Sequence, residues 1–316
     1  MTICHQLQGH SPMSSTEFKS TETLKATLAK MEGAYSFSTM RAYRVDCENF
    51  IAYCEKHGCE GLPGTPEMVV KFIVTLCDKR LRSSTVKRVV NSIACLHRCS
   101  KLSDPTLDPD VKMEVRRMYR KLGRTQRQAQ PINYDTMQLM LDATENDIRD
   151  IRNRAILRLA YDTLARRKEL VSLEMRDLHT KWAYGKRVVR LELRRSKTDQ
   201  EGVGRPLYLS REAQDALFEW INAAKIKDGY IFRGVEPTGE LTEQMDTGSI
   251  SRIFKKMAEA AGIELEPHKV ISGHSCRVGA AQDLLKAGAS LTIIMAKGRW
   301  SRSETVMRYL EHTIFD

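Results

Sequence analysis

The sequence predicts a mainly α (α+β) protein of two domains, the second interrupted by a small antiparallel β-hairpin. Three observations carry that prediction. Apolar residues recur at helical spacing through residues 22–122, residues 123–131 offer almost nothing to anchor a core, and residues 189–194 switch to strict alternation. The 316 residues are also about two domains' worth, at roughly 100–200 residues each.

Taken in order, residues 1–21 are polar and aperiodic, with Gly9, Pro12 and several Ser and Thr, and are expected to form a tail without fixed structure. In residues 22–122, Leu24, Leu28 and Met31, then Tyr43, Phe50 and Tyr53, then Val69, Phe72, Ile73 and Leu76 mark successive helices. Breaks fall at Gly33, at 58–66 and at 104–109, which gives an all-helical domain. Residues 123–131 have only Ala129 as an apolar anchor and end in Pro131, which disfavours a helix before it, so they are expected to be the linker.

The second domain, residues 132–316, begins with a long helix whose stripe is Ile151, Ala155, Ile156, Leu159, Ala160 and Leu164. In residues 189–194 Val189, Leu191 and Leu193 alternate with Arg190, Glu192 and Arg194, and a second extended segment, 206–209, follows a turn containing Gly202 and Gly204. These two segments form the hairpin. Ser210 is placed to cap the next helix, whose Ala213, Leu217, Trp220 and Ile221 face inward, and further helices are expected at about 247–261 and 277–287. There is no internal repeat.

With 41% hydrophobic and 29% charged residues the composition is globular, and no apolar run approaches the ~20 residues of a membrane-spanning helix. No membrane partner is expected. Fifty-one Lys and Arg against forty Asp and Glu leave a formal charge of +11, which favours a polyanionic partner and nucleic acid first. Eight cysteines in a chain of this length, without an apolar leader, do not suggest a secreted disulfide framework. A reducing, cytoplasmic location is expected, at the nucleoid in a bacterium.

Two clusters invite a zinc reading, Cys54, His57 and Cys59, and Cys95, His97 and Cys99. On a helix Cys95 and Cys99 share a face but His97 points elsewhere, so one ion does not easily gather all three. No metal is expected. No G-x-x-x-x-G-K-[ST] loop is present and no paired carboxylates stand at a two-metal spacing, so no cofactor is expected either.

The positive charge is concentrated. Residues 79–127 hold fourteen Lys and Arg against four acids. Within them, residues 83–93 put Ser84, Lys87, Arg88 and Asn91 on one helical surface, while Val86, Val89, Val90 and Ile93 are free to pack; Thr85 is a further candidate for contact. Such a face mixes phosphate-binding cations with an amide able to read base edges, so the helix is a candidate for contact with double-stranded DNA.

The residues suited to chemistry lie in the second domain. Arg166 follows an apolar helix, with Glu169 one turn on; then come Ser272-Gly-His-Ser-Cys-Arg-Val-Gly-Ala-Ala281, Gly298-Arg-Trp300 and Tyr309. Together and in this order they resemble the tyrosine recombinases, the Cre-like phage and plasmid enzymes most closely. The resemblance runs from about Phe37 to Tyr309. Residues 272–288 are its most specific part, supported by residues 163–170, the basic helix and the linker.

The resemblance implies a C-shaped, two-domain clamp on duplex DNA and site-specific recombination between inverted-repeat sites. It also implies a homotetramer on two duplexes, a covalent 3′-phosphotyrosine and a Holliday junction, without ATP or metal. Arg166 becomes the first catalytic arginine and Glu169 its acidic support. Lys197 is the lysine in the hairpin turn, His274 and Arg277 are the His-x-x-Arg pair, Trp300 takes the His-or-Trp place, and Tyr309 is the nucleophile. DNA contacts are expected from Thr39, Met40, Tyr43 and Arg44, from the basic helix, and from Ser249, Ser251 and Arg252. The last three differ from the Cre-like pattern, so a different target sequence is expected.

Physical chemistry agrees with these roles. Attack on a phosphodiester builds negative charge on the non-bridging oxygens, and two guanidiniums match those oxygens with fork geometry while staying charged. His274 and the indole N–H of Trp300 can donate to the same phosphate, and Lys197 can protonate the departing 5′ oxygen. A phosphotyrosine keeps the energy of the broken bond, so a 5′ hydroxyl can displace Tyr309 without ATP.

There are also departures from the family pattern. Arg167 and Lys168 stand where apolar or small residues are common. Leu310 to Asp316 follow Tyr309 where Cre-like enzymes carry a helix that docks into the neighbouring protomer, so contact through other surfaces, or through a short segment around Ile314 and Phe315, is expected. Two other readings stay open: a type IB topoisomerase-like relaxation of DNA, and a sequence-specific DNA-binding protein without catalysis.

A duplex partner has a measurable signature. Affinity measured between about 50 and 200 mM salt is expected to fall with a log–log slope near −0.9 per neutralised phosphate. A slope near zero would remove DNA as the partner.

Overall fold

The computed structural model describes residues 16–124, 127–183, 186–194 and 204–311. The chain forms two compact units, Met1–Gln126 and Arg127–Asp316. The first consists of α1 (Thr16–Met31), α2 (Phe37–Lys56), α3 (Pro66–Asp78), α4 (Ser83–Cys99) and α5 (Pro109–Leu122). Their starts are written in the sequence. The side chains of Ser36, Thr65 and Asp108 accept from backbone N–H groups of the first turns of α2, α3 and α5, and Pro66 and Pro109 occupy first-turn positions where no N–H is needed.

Phe50, Val69, Ile73, Val86, Ile93, Val111 and Met118 form the centre of this unit. Leu24, Leu28, Cys47, Ile51, Leu62 and Leu96 form a second cluster under α1. That cluster explains why α1 starts at Thr16, inside the stretch expected to be tail. Its polar residues have distant partners: the Ser20 hydroxyl accepts from the Leu62 N–H at 3.3 Å and Thr27 shares a hydrogen bond with Ser100 at 2.8 Å. Tertiary contacts of this kind are invisible to periodicity.

His97 is a packing residue. It is buried, its Nδ1 donates to the Ile93 carbonyl at 2.8 Å and its Nε2 accepts from the Gly64 N–H at 2.9 Å. Both ring nitrogens are thus used by backbone, and burial lowers its pKa.

The second unit opens with β1 (Gln128–Ala129), which pairs in parallel with Lys269–Val270. The end of the expected linker is therefore a strand of this unit, and the Gln130 N–H continues the ladder to the Val270 carbonyl at 2.9 Å. Next come α6 (Tyr134–Asp142), α7 (Ile148–Thr163) and α8 (Arg167–Val171). The sheet is a three-stranded antiparallel meander, β2 (Leu178–Ala183), β3 (Lys186–Leu193) and β4 (Arg205–Tyr208), where a two-stranded hairpin was expected. Leu178, Leu191 and Leu207 are cross-strand partners. The first strand hides its period because the residue continuing the inner row, Trp182, runs past the core and is 76% exposed.

Then follow α9 (Arg211–Ala223), α10 (Thr247–Ala260), β5 (Lys269–Val270), α11 (Ser275–Lys286), α12 (Leu291–Gly298) and α13 (Ser303–Leu310). Ser210 caps α9 by accepting from the Ala213 N–H. Trp220 is fully buried and its indole N–H donates to the Ile231 carbonyl at 2.8 Å. A separate cluster of Leu164, Ala280, Ala281, Ile294, Val306 and Leu310 holds α11, α12 and α13 against the end of α7.

Helix α11 is fixed by close backbone contact. A Cβ placed on Gly279 would lie 2.0 Å from the Ile132 carbonyl oxygen, and the Ile132 N–H donates to the Ser275 carbonyl at 3.1 Å. Alanine is the better helix former, yet here it displaces backbone. Gly279→Ala is expected to lower stability by about 1–3 kcal/mol, the range for overpacking a tight site, read as a fall in thermal midpoint. An unchanged or higher midpoint would contradict this contact.

Candidate active site

Helix α7 ends at Thr163, and Leu164 takes a left-handed conformation with φ 52° while remaining fully buried. The chain thereby reverses and delivers Arg166 to the start of α8. Glu169, three residues on, folds back: one carboxylate oxygen accepts from the Arg166 backbone N–H at 2.8 Å and the other from its Nη1 at 2.6 Å. Glu169 is 3% exposed. A second guanidinium, that of Arg299, donates to the same carboxylate at 3.0 Å. Burial alone would raise the Glu169 pKa, but Arg299 and Arg166 outweigh it and hold the group below its ordinary value.

Arg277 lies in the first turn of α11 and is 2% exposed. Its Nη1 donates to the Leu164 carbonyl, its Nη2 donates to the Gly298 carbonyl at 2.6 Å, and the Trp300 ring lies over it at 4.2 Å. Burial, then the neighbouring charges of Arg166 and Arg299, bring its pKa down to about 9. It remains a cation at neutral pH. Trp300 in turn packs on Gly298, where a Cβ would fall 1.8 Å from the indole.

Tyr309 sits in α13, partly buried, with its ring 5.9 Å from that of Trp300. Buried Val306 and Leu310 anchor the helix on either side of it, and Gln282 of α11 donates to its carbonyl at 2.9 Å. His274 is exposed at the start of α11. The loop carrying it is pinned: the Gly273 N–H donates to Ser251 Oγ at 3.1 Å, the His274 N–H to Ser272 Oγ at 3.2 Å, and Arg167 reaches the same Ser251 at 3.2 Å.

The structure thus brings Arg166, Glu169, Arg277, Trp300 and Tyr309 into one linked group. Lys197 lies outside the described residues, as do Ile314 and Phe315. Ser251, expected to meet DNA, spends its hydroxyl on Gly273 and Arg167. Ser249 accepts from Arg252 at 2.8 Å, and Arg252 is exposed. Lys168 is exposed beside the turn.

In the first unit, Ser84, Arg88 and Asn91 are exposed on α4 and Thr85 and Lys87 half-exposed, while Val86, Val89, Val90 and Ile93 are buried. Arg88 is tied to the buried Asp46 at 2.8 Å, an acid that also accepts from Ser92. On α2, Arg44 is exposed and Thr39 is partly buried. Met40 and Tyr43 pack on the Leu24 cluster, and burial pushes the Tyr43 phenol up to about 12. Tyr43 and Met40 therefore contribute to the core as well as to the surface.

Arg299 is the site residue that sequence reasoning missed. Its signal was a charged residue between Gly298 and Trp300 at the end of an apolar helix, where a buried ion pair is not legible without the partner.

Residues 131–314 match the family described as phage integrase. The chain is 29% identical over 293 residues to an integrase/recombinase xerD homolog from Selenomonas ruminantium, covering 89% of this chain and 84% of that one. It is 27% identical over 296 residues to the recombinase cre of Escherichia phage P1, covering 88% and 85%. Its fold is similar to that of a lambda integrase tetramer bound to a Holliday junction, with TM-score 0.61, 15% identity and 92% and 76% coverage. The chain belongs to the phage integrase family, the tyrosine recombinases that the sequence resembles.

The buried ion pairs carry a stability prediction. Glu169→Gln leaves two guanidiniums without their counter-charge and is expected to cost about 3 kcal/mol at neutral pH in denaturant unfolding. Because the folded Glu169 has a lowered pKa, its contribution is present above the ordinary glutamate range and is lost as pH falls through the folded value. The gap between parent and variant should therefore shrink in acid; a constant gap would contradict the pairing.

Proposed function

We propose that the protein is a site-specific DNA recombinase in which Tyr309 attacks a phosphodiester and forms a covalent 3′-phosphotyrosine. The observation that carries this reading is the assembly of Arg166, Arg277, Trp300 and Tyr309 around one point of the second unit. Arg166 and Arg277 neutralise the charge that develops on the non-bridging oxygens. Glu169 orients Arg166. His274 and the Trp300 indole donate to the same phosphate, and Lys197 protonates the 5′ oxygen as it leaves.

Arg277 now spends its donors on the Leu164 and Gly298 carbonyls beneath Trp300. A phosphate that takes them over replaces neutral acceptors with an anion, a stronger partner. DNA binding and a small shift of residues 298–309 are therefore one event in this reading.

The first unit, whose helices run from Thr16 to Leu122, acts as the core DNA-binding domain, and the second, which opens with the strand Gln128–Ala129, as the catalytic domain; both engage DNA. The exposed residues of α4, with Arg44 and Arg252, contact DNA at inverted-repeat half-sites. Four protomers act on two duplexes, and a 5′ hydroxyl from the partner duplex displaces Tyr309, first forming and then resolving a Holliday junction. Each exchange conserves one phosphodiester, so no ATP enters the balance.

Covalent capture tests this. The protein is incubated with fragmented DNA of its source in EDTA without ATP, denatured, and the attached DNA sequenced, beside Tyr309→Phe. Adducts gathered at inverted repeats and absent from the variant are expected. Adducts scattered without regard to sequence would support topoisomerase-like relaxation, and bound DNA without adducts, on nicked substrates as well, would support a DNA-binding protein without catalysis.

A further inference from the structure

Arg299 combines several features unusual for a residue that only packs. It adopts the left-handed conformation, φ 56°, at the end of α12, a position where glycine sits without strain. Its side chain is 6% exposed, its Nε has no hydrogen-bond partner, and it is a buried cation near Arg166 and Arg277; burial first, and then the charge of Arg166, lower its pKa. A glycine would remove all of these costs. Strain of this kind, held in place at a site of chemistry, points to a role there.

The contacts define that role. Arg299 donates to the Glu169 carboxylate at 3.0 Å, to the Thr163 carbonyl at 3.1 Å and to the Leu164 carbonyl at 3.4 Å. Its own carbonyl accepts from Arg166 Nη2 at 3.4 Å. Leu164 is also the acceptor for Arg277, and Glu169 the acceptor for Arg166. Arg299 thus touches the group that holds each of the other two guanidiniums, and it lies between the turn that carries Arg166 and the segment that leads to Tyr309.

We infer that Arg299 is a positioning residue for strand cleavage: it fixes Glu169 and the Leu164 carbonyl so that Arg166 and Arg277 present their forks to one phosphate. The inference rests on the recombinase reading above. Arg299 itself makes no contact with the phosphate in this account. It sets the geometry of those that do, as an outer partner orients a ligand, and loss of such partners typically costs about 10- to 100-fold in activity.

The test uses full-length parent, Arg299→Gly and Arg299→Lys on a nicked duplex carrying the captured site, with enzyme in excess. Thermal midpoint, DNA affinity and the single-turnover rate of adduct formation are read in parallel. The expected result is that Arg299→Gly stays folded at the assay temperature and keeps the parent's affinity, with a lowered midpoint because the buried Glu169 loses one of its two guanidiniums. Its cleavage rate falls about 10- to 100-fold, guanidinium ion at non-denaturing concentration restores part of the loss, and Arg299→Lys lies between.

A rate within a few-fold of the parent overturns the inference. So does a loss of rate that tracks a loss of midpoint and that neither guanidinium nor lysine repairs, because Arg299 is then a packing residue. If Arg299→Gly does not fold, Arg299→Lys decides alone: folded, binding and cleaving at the parent's rate, it removes any need for the fork and overturns the inference. The parent separates the two levels, since a parent that forms no adduct removes the recombinase reading itself, whatever Arg299 does.

Discussion

The carboxylate of Glu169, buried between the guanidiniums of Arg166 and Arg299, is the constraint on which the rest of the second unit depends. A charge in that position is tolerated only when both oxygens are satisfied. Arg166 and Glu169 share the turn after α7, whereas Arg299 comes from the end of α12, 130 residues on. Keeping the charge paired therefore fixes where those two segments meet. The third cation, Arg277, follows from the same turn, because the Leu164 carbonyl exposed by its left-handed residue is the acceptor that Arg277 and Arg299 share.

Packing supplies what the ion pairs cannot. Ion pairs hold charges but do not position a helix, and α13 is positioned by Val306 and Leu310 in the cluster of Leu164, Ala280, Ala281 and Ile294. Tyr309 lies between those two anchors, so its place relative to Trp300 is set by apolar contacts. Gly279 and Gly298 permit two close approaches, α11 to Ile132 and α12 to the indole. The polar and apolar parts thus converge on the same few residues.

Much of this was legible in the sequence. Helices of the first unit announce themselves by period and by Ser, Thr, Asp and Pro at their starts, and α7, α9 and α10 by their stripes. What was hidden was hidden for physical reasons. The helical character of residues 16–21 depends on Ser20 meeting Leu62; the first strand of the meander lacks a clean alternation because Trp182 leaves the core; and residues 128–129 pair with a strand some 140 residues away. Within the site, residue types and order pointed to Arg166, Glu169, Arg277, Trp300 and Tyr309. The commitment of Ser251 to Gly273 and of Arg299 to Glu169 was not legible, because a side chain's partner is a property of the fold.

In the proposed reaction Arg166 and Arg277 neutralise the charge on one phosphate attacked by Tyr309. The most direct measurement replaces one non-bridging oxygen of the cleaved phosphate with a methyl group, which removes the charge and leaves the leaving group in place, and compares parent with Arg277→Ala. Arg277→Ala is expected to fail on the phosphate but to form the Tyr309 adduct on the neutral linkage, since the guanidinium is no longer required there. Equal failure on both substrates would contradict it and assign Arg277 to holding the fold.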